Sequence, residues 1–93
     1  MYVIEFTEDA RKDILYLQKH APQAMSKLYR LIDGLREHPR SGTGQVEQLK
    51  HYKNETWSRR ITREHRLVYE IHDNEILVLV VSAYGHYQKS STW

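Results

Sequence analysis

The sequence predicts an α+β fold, an αα-hairpin lying on an antiparallel meander of strands. Three observations carry that prediction. Apolar residues recur at helical spacing between Ala10 and Leu35. From Trp57 to Ser82 the pattern switches to short runs rich in valine, isoleucine and leucine, broken by the polar turns Thr62-Arg63-Glu64 and Asp73-Asn74. One further β-rich run, Tyr2 to Phe6, precedes both. The expected order is therefore β-α-α-β-β-β. With 93 residues, 40% of them hydrophobic and 28% charged, the chain has material for one modest core, and residues 1–93 are expected to form a single domain.

Each element has a local reason. Thr7 is expected to cap the first helix, because its hydroxyl can accept an otherwise orphaned amide. Glu8 and Asp9 then sit at the positive end of the helix dipole. Ala10, Ile14, Leu17 and Ala21 fall on one helical face. Pro22 suits the first turn of a second helix, whose stripe is Ala24, Leu28, Leu31, Ile32 and Leu35. His38-Pro39 stops it, since the residue before proline is pushed out of the helical region. Arg11, Lys12, Lys19, Lys27 and Arg30 read as the solvated outer face of this hairpin. Arg40 to Gln45 is a loop by composition and lacks the G-x-x-x-x-G-K-[ST] pattern of a nucleotide cradle. Trp57 to Ile61 and His65 to Ile71 are expected to form a β-hairpin. Ile76 to Ser82 is a strand whose near-continuous apolar character implies burial on both faces.

The formal net charge of +2 is no argument for nucleic acid, but its distribution is. Between residues 50 and 66, Lys50, Lys53, Arg59, Arg60, Arg63 and Arg66 face only Glu55 and Glu64, with His51 and His65 among them. Arginine presents a planar, permanently charged fork of donors that matches phosphate oxygens. Residues of one parity share a sheet face, so Arg60 and Arg66 are expected on the same side across the tight turn. A slip of one residue in register would part them. The absence of cysteine excludes disulfides, thiolate metal sites and a cysteine nucleophile. The six histidines, His20, His38, His51, His65, His72 and His86, lack paired ligand spacing, so neither a metal nor another cofactor is expected. The N-terminus does not read as a signal peptide, and the apolar run Ile76 to Val81 is too short to span a bilayer. A soluble cytoplasmic protein without membrane contact is expected.

Glu47 within V-E-Q-L-K, the run W-S-R-R-I-T-R-E-H-R-L-V-Y from Trp57 to Tyr69, and the late G-H-Y of residues 85–87 resemble the YoeB/Txe branch of the RelE-type toxins. The similarity extends from the first strand through Tyr87. It implies a small twisted antiparallel sheet carrying an αα-hairpin. It also implies a ribosome-dependent mRNA interferase of a type II toxin–antitoxin system, which cuts message in the A site. By that resemblance Glu47 matches the general base that takes the proton of the attacking 2′-hydroxyl. Arg60 and Arg66 match the arginines that hold the scissile phosphate, His86 the general acid, and Tyr87 the aromatic that positions the nucleotide. Arg59, Arg63, Lys50 and His51 are expected contacts to RNA or ribosome, and Trp57 and Tyr69 packing residues. The implied partners are mRNA on the ribosome and a cognate YefM/Axe-like antitoxin, and a homodimer is compatible with the resemblance. Residues 88–93 extend beyond the family's His-Tyr end and are expected to form a flexible tail.

The chemistry agrees in kind. Cleavage of RNA by its own 2′-hydroxyl needs a base, an acid and a cation for the phosphate, with no metal required. Two other readings share these residues. One is a same-fold toxin that acts by binding a protein such as gyrase, as ParE relatives do. The other is an RNA- or ribosome-binding module without chemistry, which explains the basic hairpin but gives Glu47 no purpose.

Overall fold

A computed structural model of the chain describes residues 1–85. His86, Tyr87 and the expected tail at 88–93 lie outside the described residues. Strand β1 is Val3–Phe6, helix α1 is Glu8–His20 and helix α2 is Met25–Glu37. Four strands follow: β2 at Glu47–Leu49, β3 at Thr56–Arg60, β4 at Arg66–His72 and β5 at Leu77–Ser82. The fold class is the expected α+β, with a five-stranded sheet in the order β1-β5-β4-β3-β2.

The helices begin and end where local chemistry dictates. The Thr7 hydroxyl accepts the Ala10 amide at 3.0 Å, and Glu8 and Asp9 occupy the first turn. Pro22 opens a short 3₁₀ turn, Pro22–Ala24, which reverses the chain before α2. The stripe of Leu17, Leu28, Leu31 and Leu35 is buried against the sheet.

Two details differ from expectation. The sheet is mixed, because β1 pairs in parallel with β5 while every other pair is antiparallel. The helical hairpin carries the chain from β1 to the opposite edge of the sheet. A four-stranded meander then returns and delivers β5 beside β1, running the same way. The meander contains one strand more than the β-α-α-β-β-β order, namely the three-residue β2, too short to leave an alternation in sequence.

The apolar run at the end of the meander also divides differently. Val78 and Val80 are fully buried on the helix side, whereas Leu77 and Leu79 on the other face are only partly covered. Ile76 is 54% exposed and stands outside the strand at φ 50°. Its amide closes the 3₁₀ turn Asp73–Glu75 by donating to the Asp73 carbonyl at 3.0 Å.

Strand register sorts the remaining side chains. Leu67, Tyr69, Ile71, Val78 and Val80 form the core under the helices with Trp57 packed against them. The opposite face of β2, β3 and β4 carries Glu47, Ser58, Arg60, Arg66 and Val68. One face therefore builds the core, and the other presents the polar cluster.

Candidate active site

The cluster follows from pairing. Arg60 lies directly opposite Arg66 across the β3–β4 hairpin, and Ser58 lies directly opposite Glu47 across β2–β3. Ser58 and Arg60 are two residues apart on one strand, so all four side chains share a face. The Arg66 guanidinium spans the group. Its Nε donates to Ser58 Oγ at 3.2 Å, its Nη2 donates to the Gln45 carbonyl at 3.4 Å, and the same nitrogen stands 3.6 Å from Glu47 Oε1.

Electrostatics leave this arrangement incomplete. Like charges directly opposite one another on a sheet are destabilising; Arg66 has the Glu47 carboxylate beside it, whereas Arg60 has no ion pair among the described residues. The Glu47 side chain is 65% exposed while that of Arg66 is only 16% exposed. Arg60 contributes its amide to the Gly44 carbonyl at 2.6 Å, but its buried Nε has no hydrogen-bond partner among the described residues. A buried N–H donor left unpaired is costly. An anion with several acceptor oxygens, shared by the two guanidiniums, would relieve the repulsion.

Arg59 departs from the expected role. It was expected at an RNA surface, yet it is 2% exposed and points to the helix side with Trp57 and Leu67. Its Nε donates to the Tyr69 hydroxyl at 3.0 Å and its Nη1 to the Thr43 carbonyl at 3.3 Å. Its Nη2 donates to the carbonyls of His38 at 2.6 Å and Ser41 at 2.8 Å. The Tyr69 hydroxyl donates in turn to the Pro39 carbonyl at 2.7 Å, and burial pushes that phenol above its ordinary range despite the neighbouring guanidinium. The loop wraps closely: a Cβ on Gly42, whose φ is +121°, would lie 3.1 Å from Arg59 Nη1. Arg59 is thus the peg on which residues 38–44 hang. That loop delivers Gly44, Gln45 and then Glu47 to the polar face.

The remaining expected contacts lie at the rim. Lys50 and His51 are exposed just beyond β2, and Arg63 is exposed in the β3–β4 turn. Sequence reasoning missed Ser58 and Gln45, which orient Arg66. Ser58 carried a usable signal, since it shares strand parity with Arg60. Gln45 acts through its carbonyl, and no side-chain pattern marks it.

Residues 6–87 match the family described as the YoeB-like toxin of bacterial type II toxin–antitoxin systems. Toxin YoeB of Escherichia coli K12 is 41% identical over 73 residues, which cover 78% of this chain and 87% of that protein. A YoeB/ParE toxin from Agrobacterium tumefaciens superposes with a TM-score of 0.83 at 31% identity, covering 94% of this chain and all of that one. A chain of the heterotetrameric YoeB–YefM toxin–antitoxin complex from Staphylococcus aureus superposes with a TM-score of 0.76 at 31% identity, covering 94% of this chain and 99% of that one. The fold and these relationships agree: the chain belongs to the YoeB-like toxins of bacterial type II toxin–antitoxin systems.

Proposed function

We propose that the protein is a ribosome-dependent endoribonuclease that cleaves mRNA in the A site and so inhibits translation. The observation that carries this reading is the Arg60–Arg66 pair, two arginines directly opposite one another across the β3–β4 hairpin, with the buried Nε of Arg60 unpaired among the described residues. A phosphodiester supplies the acceptor oxygens and negative charge that this pair lacks. Glu47 serves as the general base. Its carboxylate takes the proton of the 2′-hydroxyl, the 2′-oxygen attacks phosphorus, and the bond to the 5′-oxygen breaks. His86, the general acid, returns a proton to that oxygen, and Tyr87 positions the nucleotide. The products are a 2′,3′-cyclic phosphate and a free 5′-hydroxyl.

In the free protein Glu47 is solvated and already beside Arg66. A bound phosphate competes for that guanidinium and frees the carboxylate to act as a base. Message held on the ribosome supplies the alignment and the exclusion of water that the open face does not provide. Exposed Lys50, His51 and Arg63 are suited to phosphates of the surrounding RNA. A cognate antitoxin of the YefM type is the natural silencing partner, in line with the complexes formed by the Staphylococcus aureus relatives. A homodimer is a further assembly open to it, since a YoeB dimer is known from the same organism. The site of action is the cytoplasm, and among the described residues no helix is long and apolar enough to cross a membrane.

The test is a translation extract programmed with a defined message and supplied with wild type, Glu47→Ala, Arg66→Ala or His86→Ala. Cleavage is expected to disappear in the variants while they still co-sediment with ribosomes. Inhibition unchanged in all three would sink the enzymatic reading and leave a protein-binding toxin. Protein-free RNA cut as fast as ribosome-bound message would remove the ribosome dependence.

A further inference from the structure

At the end of β5 and just past it, side chains from α1 and its cap hold the backbone. The Thr7 hydroxyl donates to the Val81 carbonyl at 3.0 Å. Asp13, on α1, accepts the Ala83 amide at 3.0 Å, with the Tyr84 amide also bonding to it. Burial pushes the Asp13 carboxyl above its ordinary range while those two amides pull it back. Tyr84 stacks on the His65 ring at 4.7 Å between centroids and meets Tyr16 edge-on at 4.7 Å.

Gly85 is held from both sides by the residues at the start of β4. Its amide donates to His65 Nδ1 at 2.8 Å, and its carbonyl accepts the Arg66 amide at 3.2 Å. Since Nδ1 accepts, the imidazole carries its proton on Nε2. Gly85 sits at φ +76°, and an added Cβ would meet nothing within 4 Å, so the glycine serves the backbone conformation and not close packing. Nothing in the proposed chemistry uses His65, although its neighbour in sequence is Arg66.

We infer that His65 is a positioning residue: its Nδ1, with the Arg66 amide, clamps Gly85 and locks the end of β5 to the strand that carries the phosphate-binding arginine. The inference rests on the proposed nuclease reading, because Gly85 is the residue from which His86 and Tyr87 follow in the chain. The clamp fixes the departure point of the acid relative to Arg66, and a misplacement of about 1 Å in such a geometry lowers turnover by about a hundredfold. His65 touches neither phosphate nor 2′-hydroxyl in this scheme, so its loss should leave substrate binding intact.

The experiment compares wild type, His65→Ala, His65→Asn and His65→Gln on programmed ribosomes, with hydrogen exchange of the Gly85 amide followed by NMR in the free proteins. Asparagine offers an acceptor where Nδ1 stands, whereas the glutamine amide reaches toward the Nε2 position. His65→Ala is expected to lower kcat by about 10–100-fold with KM changed less than about twofold, and to lose Gly85 protection. His65→Asn should restore most of both, and His65→Gln neither. Equal activity of the asparagine and glutamine variants would overturn the inference even if the alanine variant fails to fold. Gly85 protection that survives in His65→Ala or His65→Gln would overturn the clamp itself. Lost protection with undiminished kcat would overturn the positioning role and leave the nuclease reading standing. A wild type that cuts no message would instead refute the nuclease reading and with it the positioning role, while Gly85 exchange would still report whether the clamp exists.

Discussion

Replacing Arg59 should damage the fold before it damages any contact with RNA. Arg59→Ala removes a buried guanidinium that donates four hydrogen bonds, to Tyr69 and to the carbonyls of His38, Ser41 and Thr43. Charge-assisted bonds are each worth about 1.5–3 kcal/mol, but the variant also recovers the cost of desolvating the charge. The acceptors it leaves behind are neutral, and each buried one without a donor costs about 1–3 kcal/mol, so a net loss of about 3–5 kcal/mol is expected. A domain of 93 residues has about 5–14 kcal/mol in total, so the loss is a large share. The assay is urea unfolding followed by the near-ultraviolet signal of Trp57 and Tyr69, with the slope checked for two-state behaviour. Arg59→Lys should fall almost as far, because one ammonium cannot reach a phenol and three carbonyls spread over a loop. Wild-type stability in Arg59→Ala combined with weakened ribosome binding would refute the buried-peg account and return Arg59 to the RNA surface.

Other expected outcomes test other parts of the molecule. Arg40 binds Glu55 at 2.7 Å and Asp73 at 2.8 Å. Glu55 is held below its ordinary value chiefly by Arg40, and Asp73 chiefly by the Tyr2 hydroxyl and then Arg40. Lowered folded-state values mean that this stabilisation is complete above the ordinary carboxylate range and is lost as pH falls through the folded values. Thermal unfolding across the acid range should therefore be flatter in Arg40→Ala than in wild type, and an equal slope would contradict the pairing. Ser58→Ala frees Arg66 Nε from its only side-chain acceptor among the described residues, and single-turnover cleavage should drop about tenfold with ribosome affinity unchanged. Ile76 occupies the left-handed region at φ 50° with 54% exposure. Ile76→Asn should raise stability by about 1 kcal/mol in urea unfolding, since a branched side chain is penalised there and asparagine is tolerated.

Much of this architecture was legible because it is written in local patterns. Thr7, the apolar stripes and the polar turns each have a physical meaning within a few residues, and α1, β1, β3, β4 and β5 fall within a residue of expectation, whereas α2 begins three residues after Pro22, which opens a separate 3₁₀ turn. The opposition of Arg60 and Arg66 followed from parity across a short turn. What stayed hidden depends on partners distant in sequence. Arg59 reads as a surface residue between charged neighbours, and only the pairing of β3 with β4 turns it toward Leu67. Its acceptors are carbonyls of residues 38, 41 and 43, which no side-chain spacing reveals. Strand β2 is too short to show a period, so the location of Glu47 on the sheet came into view only through its pairing with Ser58. The parallel pairing of β1 depends on where the helical hairpin delivers the chain, a property of the whole topology. The β5 run looked buried on both faces because hydrophobicity alone does not say which face the helices cover.

The most direct measurement is a double-mutant cycle on Arg60 and Arg66, read as single-turnover cleavage of message on ribosomes with affinity measured in parallel. If both guanidiniums grip one phosphate, each alanine substitution lowers cleavage by about a hundredfold or more, and the double variant loses much less than the product of the two. Losses that multiply as independent effects, or cleavage untouched by either substitution, would contradict the shared grip on a single RNA linkage.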